Sequence, residues 1–249
     1  MNAGPARLAT ARWPELGPDA LVLVPLGSTE QHGPHLPFDT DAVIAAAVAQ
    51  ALAERLQQAS VTAIVAPALP YGASGEHQGF PGTSSIGEEA LALVVVELAR
   101  SLRNWAGRVV FVNGHGGNVR ALTGAVGQLL EEGHNVAWVP CGMPGGMRGT
   151  PVGDAHAGRT ETSLMLHLAP ASVLAAVAAA GATEPIAELL PALRARGVRA
   201  VAPNGVLGDP AGASAAEGAA ILEAMIENAW ARLAVTVTVT AAAAAAAPR

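Results

Sequence analysis

"LVLVPLGSTEQHGPHLPFDTDAVIAAAVAQALAERLQ" (residues 21–57) reads as one strand, one turn-rich connection and one helix. Residues 21–27 are apolar at nearly every position, as in a strand covered on both faces. The run from Asp41 to Gln57 is rich in Ala, Leu and Glu and favours a helix, with Asp39 or Thr40 standing where an N-cap belongs. Between them lie Glu30, His32, His35 and Asp39, with Asp41 at the helix start, in a chain that is only 14% charged. Pro34 and Pro37 stiffen this connection, so side-chain directions are set before a ligand arrives.

Three further β-branched runs repeat the pattern: "VTAIVAP" (61–67), "RVVFVNG" (108–114) and "NVAWVPC" (135–141). Helical stretches at Gly87–Asn104 and Asn118–Glu132 alternate with them. The order βαβαβαβ predicts an α/β fold, a three-layer α/β/α arrangement with a mostly parallel central sheet and right-handed crossovers. Further helices are expected at Arg159–Leu168 and Ser214–Leu233. The Pro- and Gly-broken segment 185–210 is expected to be a loop-rich excursion. One domain over residues 1–240 and a low-complexity alanine tail over 241–249 complete the expected organisation.

With 249 residues and 51% apolar content, the chain can bury a large core. A formal net charge of -6 without a dense basic cluster argues against nucleic acid or an anionic membrane as partner. Cys141 is the only cysteine, which excludes an intrachain disulfide and suits a reducing cytoplasm. The first 18 residues lack the apolar core of a signal peptide, so a cytoplasmic location is expected. Neither a Walker-type phosphate loop nor a G-x-S-x-G elbow is present.

In parallel sheets, sites form at the carboxyl ends of the strands. Glu30 and His32 follow the first strand and His77 follows the second. His115 follows the third within "NGHGGN", and His156 and Glu161 follow the fourth within "GDAHAGRTETS". Histidine and carboxylate ligands without thiolate suit Zn, Mn or Fe(II). Glu30, Asp41 and Glu161 bring three negative charges, which two divalent ions and one hydroxide balance, whereas a single ion leaves surplus buried charge. Two such ions roughly 3.5 to 4 Å apart, bridged by a carboxylate, activate water and polarise a carbonyl, which implies hydrolysis of an amide-type bond.

Each residue taken alone also has a bland reading. Glu161 could pair with Arg159, and His156 could merely begin the following helix. His35 is either a hydrogen-bond donor to a ligand or a rigid loop residue. Asp39 either orients a ligand or caps the helix. His77 is either a substrate contact or a turn stabiliser.

Together, "GSTEQHGPHLPFDTD", "GFPGT", "NGHGGN", "DAHAGRTETS" and "GDPAGASAAEG" resemble the creatininase family of metal-dependent amidohydrolases to about residue 233. The resemblance implies a dinuclear centre and commonly a hexamer. It implies Glu30 and His32 as ligands of different ions, Asp41 as the bridge, His115 as a further ligand, and His156 as the group that moves protons to the leaving nitrogen. Where creatininase proper carries a glutamate two residues beyond the matching histidine, this chain has Gly117. Glu161 then completes the site, and creatinine is not the expected substrate. "YGASGEHQGF" and "PNGVLGDP" are most similar to a branch that trims a short, ribosomally made and modified peptide by releasing a C-terminal Val-Tyr-derived dipeptide. A cyclic-amide or formamide hydrolase and a non-catalytic metal-binding scaffold are the alternatives.

Overall fold

The computed structural model describes residues 6–143 and 154–246, with side chains as far as residue 234. Five strands form one sheet: β1 (Ala6–Arg7), β2 (Leu21–Leu26), β3 (Ala63–Val65), β4 (Arg108–Asn113) and β5 (Val136–Pro140). Their order is β1-β3-β2-β4-β5, and every pairing is parallel. The helices are α1 (Thr40–Gln58), α2 (Gly87–Arg103), α3 (Val119–Glu131), α4 (Arg159–Leu168), α5 (Ile186–Arg196), α6 (Val198–Val201) and α7 (Ala215–Ala246).

The period-2 geometry of a strand divides β2 between two cores. Leu21 and Leu23 join Val110, Val112 and Val139 on one face, against Ile44, Val48 and Leu52 of α1 and Met225, Ile226 and Ala229 of α7. Val22, Val24 and Leu26 join Val109 and Phe111 on the other, against Leu91 and Val95 of α2 and Leu122 and Leu129 of α3. The outcome is the three-layer α/β/α sandwich that the near-continuous apolar runs predict. Trp105 and Trp138 pack against the second core, Trp230 and Cys141 against the first.

Chain order runs outward from β2 to β3 on one side and then crosses to β4 and β5 on the other, so β2 and β4 flank the switch point. At their ends, two glycines admit the first turn of α1. A Cβ on Gly27 would stand 2.6 Å from Ala42 Cα, and one on Gly114 would stand 2.5 Å from Asp41 O. This close approach seats Asp41 over the carboxyl edge of the sheet.

The two-residue β1 has no counterpart in the sequence reading, being too short for a periodic signal. Segment 185–210 differs from the loop expected of it: α5 and α6 lie within it, and α5 accommodates Pro191. Leu193, Val198, Ala202 and Leu207 are buried there against Phe80, Ile186 and Leu189, so tertiary packing overrides the local helix-breaking signal. The backbone of α7 continues to Ala246, and residues 247–249 of the expected tail lie outside the described residues.

Candidate metal centre

Three loops that leave the sheet are tied together beneath the site. Asn118 donates through Nδ2 to Gly27 O at 3.0 Å, and its Oδ1 accepts from Ala73 N at 2.8 Å. Asn113 Nδ2 donates to His115 O at 2.7 Å. Ser28 Oγ donates to Ser74 Oγ at 2.8 Å. The connections after β2, β3 and β4 are thus fixed relative to one another by buried hydrogen bonds.

On this base, Glu30, His32, Asp41, His115 and His156 are buried, and Glu161 is partly so. Asp41 lies at the centre. Its Oδ1 is 3.2 Å from His32 Nε2, and its Oδ2 is 3.3 Å from His115 Nδ1. Two groups that could each hold a metal ion therefore share it: Glu30, Asp41 and His115 form one, and His32, Asp41 and Glu161 the other. A third grouping joins Glu30, His32 and His156. His32 Nδ1 lies 3.1 Å from Glu30 O, which takes its proton and leaves Nε2 facing the two acids. Glu161 is drawn in from α4 by Ala157 N, which donates to its Oε2 at 2.6 Å. Ala157 has φ 53, a left-handed conformation costing a non-glycine residue about 1 kcal/mol or more, and so turns the chain sharply between His156 and α4.

The electrostatics are those of a crowded buried cluster of acids and imidazoles. Burial, together with nearby Asp41, pushes Glu30 up to about 8 against the pull of His115. Burial likewise pushes Glu161 up to about 7. Burial alone would also discourage Asp41 from ionising, but His32 and His115 hold it far below the usual carboxylate range. His32 is raised to about 10, its burial outweighed by Asp41, and His115 is raised as well, chiefly by Glu30 acting against burial. Burial lowers His77 to about 4 and carries His156 well below its ordinary value, so these two rings are neutral.

Both oxygens of Glu30 and Oδ2 of Asp41 are buried without a hydrogen bond. Leaving such a group unsatisfied costs about 1–3 kcal/mol, and more when charged. Bare acceptors next to imidazole nitrogens are what a bound divalent cation satisfies, so the donor set fits a transition metal.

The remaining expected residues separate. His77 lies in the cluster, with Nε2 3.4 Å from Glu30 Oε1. His35 is buried but turned aside, its Nε2 2.9 Å from Thr162 Oγ1 on α4. Asp39 is exposed at the N-cap of α1 with no side-chain cap bond, and the fold does not bring it to the cluster. Two residues passed over in the sequence prove central. Gln31 contacts both His77 and His156, and Glu76 Oε1 stands 3.5 Å from His115 Nε2. Their only signal was adjacency, one between Glu30 and His32 and the other beside His77.

Fold and site define a metal-dependent amidohydrolase with its centre at the switch point of a parallel sheet. A protein-family model described as creatinine amidohydrolase matches residues 9–233. A mycofactocin precursor peptide peptidase of Mycobacterium ulcerans (strain Agy99) is 54% identical over 86% of this chain and 84% of its own length. One of Mycolicibacterium smegmatis (strain ATCC 700084 / mc(2)155) is 55% identical over 83% and 81%. Among solved structures, a creatinine amidohydrolase superposes with a TM-score of 0.70 at 29% identity, covering 91% of this chain and 95% of that one. A manganese creatininase gives 0.70 at 28%, covering 90% and 95%. The chain belongs to the creatininase family.

Proposed function

We propose that this protein is a dinuclear metal-dependent peptidase that removes a C-terminal Val-Tyr-derived dipeptide from the modified mycofactocin precursor peptide. The observation that carries the chemistry is Asp41, with one carboxylate oxygen turned to His32 and the other to His115. The substrate assignment rests on relatives that carry the peptidase name at 53–55% identity.

Glu30, Asp41 and His115 would hold one ion, and His32, Asp41 and Glu161 the other. Zn, Mn and Fe(II) all suit these ligands, and zinc and manganese forms of solved relatives support such metals. Bound there, divalent ions supply Lewis acidity toward the scissile carbonyl and bring the pKa of water toward neutrality. The protein's own part is positional. His156 is a neutral base 3.7 Å from Glu30 Oε1 through its Nδ1. It accepts a proton from the attacking water as the C–O bond forms and returns it to the amine nitrogen as the C–N bond breaks. Burial of the cluster keeps competing water from the exchange.

Two structural points weigh against creatinine as substrate. A Cβ at Gly117 would collide with Ala73 O and stand 2.9 Å from Glu76 Oε1, so the turn cannot carry a carboxylate there. Glu161 occupies the second triad instead. Self-association, a hexamer by resemblance, is supported by exposed Leu93 on α2 and Val119 and Leu130 on α3. No helix among the described residues is long and apolar enough to cross a membrane. The lone cysteine supports a cytoplasmic setting.

The test incubates one metal-loaded preparation with the modified peptide, with creatinine and with a formamide, each with and without chelator, and follows products by mass spectrometry. Metal-dependent release of the dipeptide alone is expected. Preferential hydrolysis of creatinine or the formamide sinks the peptidase reading, and stoichiometric metal without any turnover points to a scaffold.

A further inference from the structure

Gln31 sits where four groups of the site converge, and two backbone partners fix its amide without ambiguity. Gly33 N can only donate, and it reaches Gln31 Oε1 at 2.8 Å. Gly205 O can only accept, and it takes a proton from Gln31 Nε2 at 3.0 Å. A flipped amide would lose both bonds, so oxygen and nitrogen are assigned by chemistry rather than by density of contacts. Gly205, with φ +81, is the residue type this closeness requires, because a Cβ there would run into the Gln31 amide.

The second proton of Nε2 has two ring nitrogens within reach, His77 Nδ1 at 2.9 Å and His156 Nε2 at 3.2 Å, but the latter donates its own proton to Gln31 O at 2.7 Å and cannot accept, which leaves His77 Nδ1. An accepting Nδ1 places the His77 proton on Nε2, which points at Glu30 Oε1 from 3.4 Å. The main chain of the same residue sorts the other ring. Gln31 O lies 2.7 Å from His156 Nε2, and a carbonyl can only accept. His156 therefore carries its proton on Nε2, and its bare Nδ1 faces the centre at 3.7 Å from Glu30 Oε1. The two rings lie 4.4 Å apart between centroids yet present opposite functions to the same carboxylate.

We propose that Gln31 is a positioning residue that fixes His77 as an N–H donor and His156 as a proton acceptor beside Glu30 in the candidate metal centre. The donor role suits His77 to the oxygen of the carbonyl under attack, and the acceptor role is the one the peptidase reading asks of His156. Among the described residues, Gln31 supplies the hydrogen bond on the His77 Nδ1 side that distinguishes the two tautomers. The catalytic half of this inference rests on the proposed hydrolysis, whereas the tautomers do not depend on it.

The test joins an NMR measurement with kinetics. Zinc-loaded protein carrying 15N-histidine is expected to show His77 and His156 both as Nε2–H tautomers, assigned by loss of each signal in His77→Gln and His156→Gln. In Gln31→Glu the carboxylate can only accept, so His77 must move its proton to Nδ1. That variant is expected to keep zinc content and KM while kcat falls about 10- to 100-fold. A wild-type spectrum with His77 protonated on Nδ1 overturns the proposal whether or not any peptide is cleaved, and it can be read even if the variant does not fold. A folded Gln31→Glu protein with wild-type kcat overturns it too. Correct tautomers in a protein that cleaves no peptide would leave the sorting intact and remove the peptidase reading instead.

Discussion

Substituting Gly27→Ala tests whether the seating of α1 sets the metal centre. The new Cβ would stand 2.6 Å from Ala42 Cα and 2.9 Å from Ala42 Cβ. Carbon atoms rest at about 3.5 Å or more, so relief requires a shift of about 1 Å. The obstructing atoms include helix backbone, which cannot swing aside as a long side chain would. Asp41, one residue earlier, moves with that turn, and its present separations of 3.2 Å from His32 and 3.3 Å from His115 change on a similar scale. Metal sites tolerate about 0.2 Å in ligand distance, so a shift several times larger should leave at least one triad unable to close. Turnover should fall about 100-fold or more, as for a misplacement of about 1 Å in other catalytic arrays. The overpacked contact should cost about 1–3 kcal/mol of stability in the metal-free protein. The assay dialyses the variant against metal-buffered solution, counts bound ions by elemental mass spectrometry, and compares unfolding by circular dichroism with chelator present. A folded Gly27→Ala protein with full metal content and unchanged turnover would show that Asp41 owes its place to something other than the docking of α1.

Other outcomes follow from the same geometry. The metal-free protein should lose stability as pH rises from about 7 to 10, above the range in which the lowered His77 and His156 act in the opposite sense. Glu30 and Glu161 have folded values raised from 4.5 to about 8 and about 7, and His32 is raised from 6.5 to about 10. The folded state therefore binds these protons more tightly, and its advantage is complete below the unfolded values and lost as pH passes the folded ones. Asp41, shifted the opposite way, contributes above its ordinary value and weakens the fold only in acid. Melting with chelator between about pH 7 and 10 reads the slope, and a rising midpoint there contradicts the assignment. Metal uptake displaces the same protons, so apparent affinity should increase with pH and calorimetric heats should vary with the ionisation enthalpy of the buffer. Gly127→Ala, inside α3 with nothing within 4 Å of the added Cβ, should stabilise by about 0.5–1 kcal/mol and leave turnover unaltered. A destabilised variant would show that the helix face is occupied.

The fold is legible in the sequence where one local signal dominates. The apolar runs around β2, β4 and β5 are buried on both faces, and this leaves few polar positions to obscure their ends. Boundaries were poorer in β3, where only Ala63–Val65 pair, and in α5, where Pro191 suggested a break that burial of Leu193 overrides. Of the candidate residues, Glu30, His32, Asp41, His77, His115, His156 and Glu161 meet in space. Asp39 and His35 share the same short stretch but point elsewhere, since position along an irregular loop does not fix side-chain direction.

By itself, then, the chain's order of apolar runs determined a parallel α/β/α sandwich, because crossover handedness and two-sided burial leave few alternatives. It also determined which loops carry imidazoles and acids. Tertiary structure decided which oxygen of Asp41 faces which ring, that Glu161 reaches back from α4, and that Gln31 meets two histidines 46 and 125 residues away. Those are matters of angle and of hydrogen-bond direction between distant segments. No local pattern encodes them, because each depends on the glycine contacts at the strand ends and the asparagine ties that lock the loops together.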